Sequence, residues 1–153
     1  ARGSAPSRGY APVSLATDLS TASTPALAAT RTFAAEAAKV DVMYVAQTNP
    51  WLLGSELVAA SGVAEQVRQD AIASAQRSGA DVVSALAAAG VHATMHVVEG
   101  HPGHAVVDHA HAQGAALIIT GSHGRRGLSR WLIGSTAEYI ARHAGCSVLI
   151  ARG

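Results

Sequence analysis

The chain has 153 residues, 49% of them hydrophobic and only 4% aromatic, which is enough for one domain built on an aliphatic core. A formal charge of +1 gives no broad basic surface for nucleic acid or anionic membrane. Lys39, the only lysine, is followed by Val40, so the Gly-Lys-Ser/Thr of a P-loop is excluded.

Residues 1–11 are expected to be a disordered tail or cloning remnant, and the two arginines there lack the apolar stretch of a secretory signal. Residues 12–153 are read as the folded domain. No apolar run approaches the roughly eighteen residues of a membrane span. Cys146 stands alone, which precludes an intrachain disulfide and fits a reducing, cytoplasmic setting.

In chain order, residues 12–17 form a short apolar run that ends at Asp18 and reads as a strand. Ser20 or Thr21 can cap an alanine-rich helix to about Lys39, with Pro25 tolerated in its first turn. Residues 40–46 are a short apolar run with β-branched residues and Tyr44 and read as a second strand. A loop over 47–55 holds Trp51, and 56–89 is helical in composition, with bends expected near Ser61-Gly62 and Gly79 and a stop at Gly90. A third strand over 91–99, a turn over 100–103, a helix over 104–113 and a fourth strand over 115–120 follow. The chain closes with a helix over 135–143 and a strand over 146–151. This βαβαβαβαβ order predicts an α/β fold, a Rossmann-like three-layer sandwich with a five-stranded, mostly parallel sheet.

Between the fourth strand and the last helix lies Gly121-Ser122-His123-Gly124-Arg125-Arg126-Gly127-Leu128, and then Gly134-Ser135-Thr136. Glycines let backbone N–H groups approach an anion, and a helix start adds unpaired donors and a partial positive charge. The segment therefore reads as a cradle for nucleotide phosphates. In doubly wound sheets ligands bind where strand order reverses, which brings the exit Thr17-Asp18-Leu19-Ser20 beside this loop. Asp18 can accept hydrogen bonds from ribose hydroxyls, help hold a metal ion, or cap the following helix. Ser135 and Glu138 have the spacing of a capping box. Arg125, Arg126 and Arg130 either neutralise phosphate charge or form a solvated loop face, and His123 either contacts phosphate or holds the loop.

The order Gly121, Gly124, Gly134, Ser135, placed after the fourth strand, resembles the ATP-binding signature of the universal stress protein family. The resemblance runs from residue 12 to 152 and includes Ala16-Thr17-Asp18-Leu19-Ser20, Tyr44-Val45, Gly100-His101-Pro102 and residues 142–150. It implies a homodimer paired through residues 146–151 and linked to stress survival, with an adenine nucleotide bound. Carried over by position, Val45 contacts adenine through its backbone and Asp18 lies at the ribose. Gly121, Ser122, His123 and Gly124 line the ribose and α-phosphate, while Gly134, Ser135 and Thr136 hold the outer phosphates. The site set also takes in Ala16, Thr17 and Arg125. The chain departs from the family at Ala16, where a proline is common.

The reading that follows is an ATP-binding regulatory protein, with Mg2+ accompanying the triphosphate and an unidentified protein partner. AMP or cyclic AMP is the alternative ligand, and slow ATPase or phosphotransferase activity, with Asp18 or His123 as base, is the alternative function. A dehydrogenase is excluded because no Gly-x-Gly-x-x-Gly follows the first strand. His92, His96, His101, His104, His109 and His111 show no metal-site spacing and are expected to be solvated or capping residues. Cys146 is expected in the core or an interface rather than as a nucleophile, and Trp51 and Trp131 at the site rim or a subunit contact.

Overall fold

The computed structural model describes residues 9–34, 38–47, 62–122 and 133–152. Five strands, β1 (Val13–Ala16), β2 (Lys39–Ala46), β3 (His92–Glu99), β4 (Leu117–Gly121) and β5 (Ser147–Ala151), form one sheet in the order β3-β2-β1-β4-β5. Every strand pair is parallel, so the sheet is wholly rather than mostly parallel. Parallel neighbours require crossovers, here supplied by α1 (Thr24–Phe33), α2 (Val63–Ala88), α3 (Pro102–Ala112) and α4 (Ser135–His143).

Helices on both faces explain why the central strands read as continuous apolar runs. Val13, Leu15, Val40, Val42, Leu117 and Ile119 pack with Ala26 of α1 and Leu86 of α2 on one face. Ala16, Met43 and Ile118 meet Val106 and Ala110 of α3 and Ile140 of α4 on the other. Strand alternation puts Ser14 and Asp41 on this second face; both are buried.

Three boundaries differ from the sequence expectation. The first helix ends at Phe33, after a 3-10 turn over Thr21–Ser23, and Lys39 opens β2 instead of closing the helix. Pro102 begins α3, so the turn before it is shorter than expected and the helix starts two residues early. Helix α2 runs through Gly79 without a break. A Cβ at Gly79 would lie 2.5 Å from Met95 Sδ; the missing side chain makes room for Met95 of β3. The expected stop at Gly90 is observed: with φ of 78° it closes a Schellman turn in which Val91 N donates to Leu86 O and Gly90 N to Ala87 O. The expected bend at Ser61-Gly62 and the loop holding Trp51 lie outside the described residues, except that Gly62 caps α2 with φ of 70°.

Helices α3 and α4 approach closely at Gly103, where an added Cβ would come within 2.7 Å of the Tyr139 ring. Gly103→Ala is expected to lower the urea midpoint, because overpacking costs roughly 1–3 kcal/mol and exceeds the helix-propensity gain of at most about 1 kcal/mol. Gly145→Ala, whose Cβ meets nothing within 4 Å, is the reference and should leave stability within about 0.5 kcal/mol of the parent. Equal midpoints for the two variants would show that Tyr139 yields without cost.

Candidate functional site

Strand order reverses between β1 and β4: the chain steps outward from β1 to β2 and β3, then returns to the far side of β1 for β4. The two polar strand exits therefore lie side by side at the carboxyl end of the sheet, as the sequence implied. At the β1 exit, Asp18 Oδ1 accepts from Ser20 N at 3.0 Å, Ser20 Oγ at 2.7 Å and Ser23 Oγ at 2.6 Å. Thr17 Oγ1 accepts from Leu19 N at 3.0 Å, and Leu19 takes φ of 60°. This is a turn built by side chains, in which Ser20 in turn caps the 3-10 segment through Ala22 N. Asp18 therefore does not itself cap a helix: Ser20 is the N-cap of the 3-10 segment and Ser23 that of α1, and Asp18 holds the hydroxyls of both.

At the β4 exit, Ser122 is buried, and its N donates to Ala151 O at 2.9 Å. Gly134 N donates to Ser122 O at 2.8 Å, which fixes the start of α4 beside the end of β4. The expected capping box between Ser135 and Glu138 does not form. Gly134 is the N-cap, without a side-chain cap bond, so Ser135 is the first helical residue and Glu138 falls one position too late. Glu138 N instead donates to Gly134 O, and Glu138 Oε1 pairs with Arg142 Nη2 one turn on, at 2.8 Å. The leading N–H groups of a helix have no intrahelical acceptor, and the N-cap, Gly134, offers them no side chain. Gly134 has φ of −64°, a value open to every residue, so local backbone geometry does not require glycine there.

Val45 sits on the third side of the same crevice. In a parallel strand, N–H and C=O of one residue point to the same neighbour and alternate along the chain. Met43 O accepts from Thr17 N and Ala46 O accepts from Gly100 N, so Val45 directs its backbone groups toward β1. Since β1 ends at Ala16, opposite Met43, Val45 faces the space beyond that strand. The structure therefore brings together Ala16, Thr17, Asp18, Val45, Gly121, Ser122, Gly134, Ser135 and Thr136 at one end of the sheet. His123, Gly124 and Arg125 lie outside the described residues, as do Arg126, Arg130, Trp51 and Trp131.

Cys146 packs beside the α3–α4 face, and burial pushes its thiol up, in keeping with a packing role. Five of the described histidines fall into two groups, and His92 and His111 are exposed. His104 and His143 stack on the Tyr139 ring and His101 meets it edge-on, all three exposed. His96 and His109, expected to be solvated or capping, are part-buried and both turn to the buried carboxylate of Asp41. His109 Nε2 lies 3.1 Å from Asp41 Oδ2 and His96 Nε2 lies 3.3 Å from Asp41 Oδ1. Burial pushes the Asp41 carboxyl up, but the His109 and His96 contacts and the Lys39 charge outweigh it and hold the group below its ordinary value. No sequence motif marks this cluster, because its members come from β2, β3 and α3.

The sequence profile of the universal stress protein family matches residues 9–152. Among curated relatives, universal stress protein YxiE of Bacillus subtilis is 36% identical over 63 residues, or 41% of this chain and 43% of the relative. Universal stress protein MJ0531 of Methanocaldococcus jannaschii is 38% identical over 63 residues, 41% of this chain and 37% of the relative. The matched stretch thus spans less than half the length of these relatives. Among solved structures, UspA from Lactobacillus plantarum superposes with a TM-score of 0.78 at 20% identity, covering 94% of this chain and 99% of the other. A universal stress protein in complex with cAMP gives 0.64 at 22% identity, covering 94% and 98%, and one from Archaeoglobus fulgidus in complex with dAMP gives 0.64 at 19%, covering 94% and 98%. These structural likenesses carry the fold, and the match over nearly the whole sequence carries the family: the chain belongs to the universal stress protein family.

Proposed function

We propose that this protein binds an adenine nucleotide, foremost ATP with its Mg2+, and acts as a regulatory protein in stress response. The observation that carries the reading is the joining of the β1 exit, the β4 exit and the α4 start at the strand-order reversal, held by the Gly134 N to Ser122 O bond. Adenine would pair with the outward backbone of Val45, and the ribose would lie at the Asp18 turn. Gly121, Ser122, His123 and Gly124 would follow the α-phosphate, and Gly134, Ser135, Thr136 and Arg125 the outer phosphates. The relatives solved with cAMP and dAMP support an adenine ligand and keep AMP and cyclic AMP as alternatives. Binding rather than rapid turnover fits Asp18, whose Oδ1 holds the β1 turn together by accepting from three donors within it.

The β5 edge supports a homodimer. Among the described residues it pairs only with β4, and Val148, Leu149 and Ile150 are only partly buried. An apolar edge of this kind invites pairing with a second chain. A cytoplasmic setting completes the reading.

Heat release of ligand from freshly purified protein, with mass spectrometry of the supernatant, tests occupancy. Near one ATP or ADP per chain is expected, and an empty protein that gives no calorimetric response to Mg-ATP would end the proposal. Gly134→Val should weaken ATP by roughly tenfold to a hundredfold, the loss of one or two charge-assisted hydrogen bonds, with the unliganded melting temperature little changed. Unchanged affinity would remove the helix start from the site.

Asp18→Ala is expected to weaken adenosine as well as ATP and to lower stability by roughly 1–3 kcal/mol through the donors it orphans. An effect confined to hydrolysis would make the carboxylate catalytic instead. In light scattering, Ile150→Arg should convert dimer to monomer; a dimer that persists would place the subunit contact elsewhere.

A further inference from the structure

The geometry points to a divalent transition-metal site formed by Asp41 of β2, His96 of β3 and His109 of α3, separate from the nucleotide crevice. These three ligand-bearing groups converge on the α3 face of the sheet, with one ligand atom from each lying within 4.8 Å of the others. His109 Nε2 lies 3.1 Å from Asp41 Oδ2 and His96 Nε2 lies 3.3 Å from Asp41 Oδ1, so the imidazoles approach the two oxygens of one carboxylate, each at about the roughly 3.3 Å that separates two ligand atoms held about 2.0–2.1 Å from a tetrahedral ion. A cation entering between the three groups would draw the two imidazole nitrogens toward a shared centre, with the carboxylate turning to offer it one oxygen.

The surroundings fit an ion with one open position. The Asp41 side chain is 3% exposed, whereas His96 and His109 are 32% and 18% exposed, so the carboxylate lies deepest and the imidazoles lie nearer to solvent. Ser14, in register beside Asp41 on β1, keeps a buried Oγ with no hydrogen-bond partner among the described residues. A buried hydroxyl left that way is costly, and a metal-bound water beside Asp41 would give the neighbourhood both a donor and an acceptor. Two imidazoles and one carboxylate are a borderline donor set, suited to Zn2+, Co2+, Ni2+ or Cu2+ and too poor in oxygen for Ca2+ or Mg2+.

One side chain opposes the ion. Lys39 Nζ lies 3.5 Å from Asp41 Oδ1 and also donates to Gln113 Oε1 at 3.1 Å. It is 57% exposed, so it can swing to solvent when a cation arrives, but its charge acts against metal binding. This gives the site a signature that a purely structural His–Asp cluster lacks: removing Lys39 should tighten the metal.

The test uses the full chain, stripped with a chelator and free of nucleotide, titrated with Co2+ in visible absorption and with Zn2+ in calorimetry. One equivalent is expected, with the intense ligand-field bands of a four-coordinate cobalt ion and a rise in melting temperature. His96→Gln and His109→Gln, checked for folding by circular dichroism, should each weaken binding about tenfold or more. Lys39→Met should strengthen it, and His104→Ala, in the exposed Tyr139 stack, should leave it unchanged. Absence of saturable uptake, uptake unaffected by the His96 and His109 variants, or uptake abolished by His104→Ala would overturn the assignment. Because no nucleotide is present, none of these outcomes bears on the crevice at the other strand ends.

Discussion

The structure turns on where β1 stops. β1 is four residues long, the most buried strand of the sheet, and ends at Ala16 while its neighbour β2 continues to Ala46. A parallel strand that ends early leaves its neighbour's inward backbone groups facing open space. It also obliges the chain to turn at once, and here the turn is made by Thr17 and Asp18 folding their own oxygens onto the following N–H groups. The crevice, its Val45 wall and its Asp18 rim all follow from that early stop.

The second constraint is electrostatic. A carboxylate at position 41, in the middle of a sheet with helices on both sides, must be compensated where it stands. His96 is on the neighbouring strand and His109 on the helix laid across it, so the charge is met from two directions. The same demand that keeps Asp41 bound to its histidines sets three ligand-type side chains around one point.

The sequence made the architecture legible because each strand was short, apolar and bounded by punctuation, and because βα alternation leaves few ways to arrange the sheet. Residue-level geometry was less accessible. The end of α1 was missed because the alanine-rich stretch after Phe33 carries no glycine or proline to mark a stop. Gly79 looked like a helix breaker because its reason is tertiary: Met95 lies against it. Ser135 seemed a cap because Ser-x-x-Glu spacing is a one-dimensional pattern, whereas Gly134 takes that place through its bond to Ser122. The Asp41 cluster left no trace, since its members lie 55 and 68 positions from Asp41 along the chain.

Ser122 ties the end of β4 to two neighbours: its C=O accepts from Gly134 N and its N donates to Ala151 O, so the two ends of the segment between β4 and α4 are joined at their base. Closing a loop grows more costly only slowly with length, by about 0.6 kcal/mol for each doubling. Such a seam lets the intervening sequence lengthen, shorten or change its charge while sheet and helix keep their places. It anchors the two ends of the segment, so that a change in length between them need not shift β4 or α4.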